Sequence, residues 1–129
     1  MQLGQLQSIE PQLSQLDYQV IATSPDRPEK VRETVEKHSP GFSLLSDSKM
    51  AAAKALGIAF EVDEKGLKQF TELGIDLEDA SGETHHQLPA PAVFVVGKDG
   101  VIKFEYVNPN HTVRLEADVL LAAARAALQ

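Results

Sequence analysis

Leu3, Leu6, Ile9, Leu13 and Leu16 recur at three- and four-residue intervals with Gln and Ser between them, the spacing of one apolar helical face. Pro11 lies inside that pattern. It removes a backbone donor and crowds the preceding turn, so a kink or boundary is expected there. Tyr18-Gln19-Val20-Ile21-Ala22-Thr23 is β-branched and apolar and stops at Ser24-Pro25, as a buried strand would. Asp26 with Glu29 three residues on resembles a capping box and predicts a polar helix to about Lys37, with Val31 and Val35 as its buried stripe. Phe42 to Leu45 reads as a short strand. The Ala-rich stretch Met50 to Leu56 reads as a helix capped by Asp47 or Ser48 and stopped by Gly57.

A further helix is expected over Glu64 to Leu73, with Leu67, Phe70 and Leu73 facing inward and Gly74 ending it. Asp76 to Gln87 is acidic and polar enough to be a surface loop. Val93 to Val96, the turn Gly97-Lys98-Asp99-Gly100, and Val101 to Val107 form the clearest hairpin pattern in the chain. Leu115 to Leu128 is the last helix, with Leu115, Val119, Ala122 and Ala126 assigned to one face. The order α-β-α-β-α-(α)-loop-β-β-α implies an α/β fold: parallel strands joined by helices, a closing antiparallel hairpin, and helices on both faces of a mixed sheet.

Composition narrows the function classes. At 129 residues, one domain is the natural count, and 43% hydrophobic with 24% charged residues is ordinary for a globular protein. No run approaches the roughly 18 apolar residues that span a bilayer, so no membrane partner is expected. Met1 to Leu6 has neither a basic region nor a continuous apolar run of the signal-peptide kind, and a cytoplasmic location is the expectation. A net charge of -7 argues against a nucleic-acid partner, because backbone binding rests on clustered Lys and Arg. The chain has no cysteine, which excludes a disulfide framework, a thiolate-ligated zinc and a thiol nucleophile. His85 and His86, near Glu78, Asp79 and Glu83, have the right donor types for a divalent metal, but adjacent side chains in extended backbone diverge and a solvated acidic loop is the favoured reading. The glycines form no phosphate-binding spacing, and no cofactor is expected.

Four stretches carry a resemblance. Val20-Ile21-Ala22-Thr23-Ser24-Pro25-Asp26, Ser43-Leu44-Leu45-Ser46-Asp47, Leu88-Pro89-Ala90-Pro91-Ala92-Val93-Phe94-Val95-Val96 and Asn108-Pro109-Asn110-His111-Thr112-Val113-Arg114-Leu115-Glu116 together resemble, in order and spacing, the peroxiredoxin-like branch of the alkyl hydroperoxide reductase and thiol-specific antioxidant family. The resemblance implies a thioredoxin-like fold and a thiol-dependent reduction of peroxides or disulfides, with a thiol reductant as partner of a full-length form. In that family a central strand and an aromatic-Cys-Pro-Tyr-Cys-type loop precede the helix that here begins at Leu3, so the chain reads as N-terminally truncated. The family's peroxidatic thiolate sits at a helix N-terminus, where the peptide dipoles favour an anion. Ser8 and Thr23 are poor substitutes, since an alkoxide is far costlier to form than a thiolate.

Two positions match the family without carrying chemistry of their own. Pro91 stands where thioredoxin-like folds place a cis-proline, and cis is favoured there over the plainer reading of two prolines stiffening a loop. Arg114 matches a recurrent arginine of the closing segment, where His111 replaces an aromatic; the plainer reading is a surface arginine bonding carbonyls or Glu116. No catalytic residue is assigned. Two function classes follow: the scaffold of a thiol-dependent oxidoreductase, inactive as it stands, or a non-enzymatic binding or assembly module. With a central strand missing, the strands at Tyr18 to Thr23 and Val93 to Val96 are expected either to pair directly or to have the gap filled by a second copy, giving a homodimer, because unpaired buried backbone groups cost about 1 to 3 kcal/mol each.

Overall fold

The computed structural model describes residues 3–110 and 115–128. Six helices and six strands alternate: α1 (Leu3–Gln15), β1 (Ile21–Ser24), α2 (Pro28–His38), β2 (Ser43–Ser46), α3 (Ala51–Ala55), β3 (Ala59–Glu61), α4 (Glu64–Glu72), α5 (Leu77–Ser81), β4 (Gln87–Pro89), β5 (Ala92–Val96), β6 (Ile102–Val107) and α6 (Ala117–Ala126). The architecture is mixed α/β, as the pattern of the chain predicts. Its strands do not form one continuous sheet. They pair as β1-β2, β3-β4 and β5-β6, three two-stranded pieces.

Two compact units can be distinguished, one made of Met1–Ile21, Pro40–Ser43 and Pro91–Gln129, the other of Ala22–Ser39 and Leu44–Ala90. In the first, α1 and α6 pack with the β5-β6 hairpin around Ile9, Leu13, Val95, Leu115, Leu120, Leu121 and Ala124. The helix α1 runs through Pro11 without a boundary. Pro11 lies on its exposed side, between the buried anchors Ile9 and Leu13, so the burial on the opposite face outweighs the lost backbone bond. The buried stripe of α6 is Leu120, Leu121 and Ala124; of the expected face Leu115, just before the helix, is buried, but Val119 is 48% exposed and Ala122 and Ala126 also face outward. Ala117, Leu120, Leu121 and Ala124 share a helical face that carries two leucines, so it removes more apolar area from water.

The hairpin is antiparallel, with Val93 opposite Tyr106 and Val95 opposite Phe104, and a register shift between Val95 and Val96. Its turn is closed by Gly97 N–H to Val101 O (2.9 Å) and Gly100 N–H to Gly97 O (3.0 Å). Gly100 has φ +79°, a left-handed conformation suited to glycine. Asp99 completes the turn by accepting from Val101 N–H (3.1 Å) and from Lys103 Nζ (3.3 Å).

The second unit begins with β1. This strand is shorter than expected because Tyr18 and Val20 are used elsewhere: Tyr18 N–H returns to Leu13 O at the end of α1, its hydroxyl donates to Ala124 O (2.7 Å), and both side chains pack on the α1-α6 cluster. Only Ile21–Ser24 remain for pairing, and they pair with β2. Among the described residues the expected direct pairing of the Tyr18 to Thr23 strand with the Val93 to Val96 strand is not formed. Asp47 N–H donates to Ser24 O (2.7 Å) and Ser46 Oγ to Asp26 O (2.6 Å), so β1 and β2 end on the same edge and run in the same direction, joined by α2. Asp26 is not the cap of that helix. Pro28 opens the helix, where the backbone N–H it lacks would have no intrahelical partner, and this makes Arg27 the N-cap. Val31 is buried, while Val35 lies at the surface.

Asp47 caps α3 with both carboxylate oxygens, accepting from Ala52 N–H (3.0 Å) and Ala53 N–H (2.9 Å). Met50, just before that helix, has φ +62° and no solvent exposure at all. A non-glycine residue in this region costs about 1 kcal/mol, which the buried side chain offsets. The strand β3 was not anticipated, nor was the helix α5 inside the stretch read as loop. β3 pairs antiparallel with β4, Phe60 opposite Leu88, and Asp76 caps α5 by accepting from Glu78 and Asp79 N–H groups (3.0 and 3.2 Å). No residue of α4 is buried, and Leu73, expected to face inward, is 75% exposed.

Candidate functional site

In open α/β sheets, ligands are held beyond the carboxyl ends of parallel strands. Here that edge is formed by Ser24-Pro25-Asp26 after β1 and Ser46-Asp47-Ser48 after β2. Its polar groups bond one another. Ser46 Oγ donates to the Asp26 carbonyl, Ser24 Oγ accepts from Asp26 N–H (3.2 Å), and the Asp47 carboxylate is consumed by α3.

His85 closes the edge from the segment before β4. Its Nδ1 accepts from Gln87 N–H (2.9 Å), so the ring proton resides on Nε2, which donates to Ser48 O (2.7 Å). Both ring nitrogens are thus occupied by backbone groups. His86 turns away with φ +52°, and its Nε2 lies 2.8 Å from Glu78 Oε1. The two histidines have different partners, and among the described residues no three His, Asp or Glu side chains converge on one point. A cleft beside this edge, bounded by Pro25, Asp26, Ala80, His85 and Leu88, has a volume of about 30 Å3, room for about one water molecule.

The charges nearby are surface pairs: Lys30 Nζ to Asp79 at 3.2 Å, and the Arg27 guanidinium to Asp79 at 3.7 Å and Glu29 at 3.9 Å. Arg27 N–H donates to Ala80 O (2.8 Å), which ties α5 to the start of α2. Exposed ion pairs of this kind contribute at most about 1 kcal/mol. The arrangement is a structural clasp, in which the Ser24 and Ser46 hydroxyls and both ring nitrogens of His85 are engaged with backbone groups.

The expected site residues fall as follows. The Ala90–Pro91 bond is trans, because no cis peptide bond occurs among the described residues, which corrects the expectation at Pro91. In the trans form both neighbouring groups are satisfied: Ala90 N–H donates to Ile58 O (2.8 Å) and Pro91 O accepts from Asn108 N–H (3.0 Å). Trans is also the lower state of an X-Pro bond by about 0.5 to 1 kcal/mol, and nothing local opposes it. Arg114 and His111 lie outside the described residues. Ser8 bonds back to Gln5 O (2.6 Å) within α1, and Thr23 is exposed on β1. For His85 the sequence suggested at most a metal ligand, and its contact across the edge is what sequence reasoning missed. Its role depends on Ser48, 37 positions away, and no local pattern announces that contact.

Among the described residues no helix is long and apolar enough to cross a membrane. Comparison with curated proteins gives no match. A profile of the AhpC/TSA family matches residues 1–105, which covers all five strands up to β5, most of β6, and Pro91, and stops short of Arg114. The chain belongs to the AhpC/TSA family, whose members are thiol-dependent peroxidases and related oxidoreductases with a thioredoxin-like fold.

Proposed function

We propose that these 129 residues are the scaffold of a thiol-dependent peroxide or disulfide reductase and that, alone, they turn over neither substrate. The observation that carries this reading is the absence of any cysteine from a chain of this family. The Ser24 and Ser46 hydroxyls at the β1-β2 edge support it, since they are engaged with backbone and both nitrogens of His85 are occupied. The test is dithiothreitol-coupled peroxide consumption by this chain beside the same chain carrying an added strand and a Cys-Pro-Tyr-Cys-type loop ahead of α1. The unmodified chain is expected at the protein-free background and the extended one clearly above it. Turnover by the unmodified chain overturns the second half of the proposal, and an inert extended chain overturns the first.

A second reading, a non-enzymatic assembly module, is favoured by the sheet. Among the described residues β1 and β5 each pair along one edge only, and Ile21 (55%) and Val96 (49%) are exposed on them. Open strand edges are templates for another strand. A homodimer that adds strand to strand follows from this, with light scattering after size exclusion expected to give twice the 14.0 kDa chain mass. A mass of one chain at all concentrations removes this reading.

A further inference from the structure

The helix α4 is amphipathic, yet its apolar side is left without a complete cover. Leu67 and Phe70 are half-buried, and Leu73 at its end points to solvent. Leu67, Phe70, Ile75 and Leu77 wall a cleft of about 190 Å3 between α4, α5 and His86. That exceeds the roughly 150 Å3 cavity that accepts a benzene ring, so one aromatic or branched side chain fits. The mouth is acidic. Asp76 and Glu78 are part of the lining, Glu72 is exposed at the end of α4, and no Lys or Arg lines the cleft. Asp76 is held in place by its two bonds to the start of α5, and Glu78 by its contact with His86, so the carboxylates are fixed before any partner arrives.

We infer that this cleft is a docking site for a basic polypeptide segment that inserts one aromatic or aliphatic anchor and sets Lys or Arg beside it against Asp76 and Glu78. Charge complementarity selects the partner: the apolar walls give a hole for an anchor, and the rim favours cations and repels anions. The net charge of -7 draws such a segment in at low salt.

The chain has no tryptophan, so the fluorescence of a Trp-containing probe peptide is read without background. The probes are Lys-Lys-Trp-Lys-Lys and Glu-Glu-Trp-Glu-Glu, titrated into the whole chain at low and at physiological salt. The Lys-flanked peptide is expected to show a saturable blue shift with a Kd on the order of 100 μM at low salt, weakening as salt rises. The Glu-flanked peptide is expected to bind at least about tenfold more weakly. Glu78→Lys, at an exposed side chain, is expected to weaken the Lys-flanked peptide about fivefold, and Ile75→Asp to weaken both peptides, with far-UV circular dichroism confirming that each variant is folded. Equal affinity for the two peptides on the unmodified chain, no shift with the Lys-flanked peptide up to about 2 mM, or folded variants that bind unchanged would each overturn the inference.

Discussion

In the unit that holds α1, β5, β6 and α6, seven buried side chains among the described residues meet in a single cluster, with nine partly buried ones packed on it. The unit from Ala22–Ser39 and Leu44–Ala90 buries only Val31, Met50, Ala53 and Val62, and has a helix, α4, with no buried residue. What the second lacks in core it replaces with polar links: Asp47 on α3, Asp63 on α4, Asp76 on α5 and His85 between Ser48 and Gln87. Hydrophobic burial contributes about 1.5 to 3 kcal/mol per large side chain and needs no exact geometry, whereas a hydrogen bond nets about 1 kcal/mol and is lost with small displacements. The first unit is therefore expected to resist local opening and the second to be the more easily opened.

The sharpest break in that contrast comes from the first unit. Leu121→Ala is expected to cost about 2 to 5 kcal/mol in urea unfolding, because it removes a buried leucine from the centre of the cluster. A loss below about 1 kcal/mol would show that the cluster is not the main source of stability. Asp47→Ala comes next. It strips two backbone N–H groups of their acceptor and is expected to cost about 1 to 2 kcal/mol, with amide hydrogen exchange accelerated at Ala52 and Ala53 and unchanged in α1. Equal acceleration in both units would erase the distinction between them.

The smallest effect belongs to Asp99 in the hairpin turn. The backbone N–H of Val101, and then the Lys103 ammonium, hold its carboxyl below the ordinary carboxylate value of 3.8. A depressed folded value means that the stabilisation is present above the unfolded value and is lost as pH falls through the lower, folded one. Carboxyl-carbon NMR is expected to place the Asp99 midpoint below 3.8, and the Val101 amide shift to titrate with it. A midpoint at or above 3.8 would show that the turn's bonds do not persist in solution.

How much of this was legible follows the range of the interactions. The β5-β6 hairpin could be read because β-branched runs flank a four-residue turn with Gly at both ends, all of it local. The existence of α6 was equally plain, but its many alanines support more than one face, and weighing residue size would have chosen Leu120 and Leu121 over Val119. β3 was illegible because Ala59-Phe60-Glu61 is a strand only through Gln87–Pro89, which lies beyond two intervening helices. The family could be read from four separated stretches, and the profile match over residues 1–105 covers the first three of them. The clasp at the β1-β2 edge could not, since His85, Ser48 and Asp47 are united only by the folded backbone.

Met50, wholly enclosed at the start of α3, has a consequence for durability. It is one of two methionines in a chain without cysteine, the other being Met1, so among the described residues no sulfur atom meets solvent. Sulfur is where oxidants damage proteins first. Among its described residues the protein therefore offers a dissolved oxidant no exposed sulfur to attack.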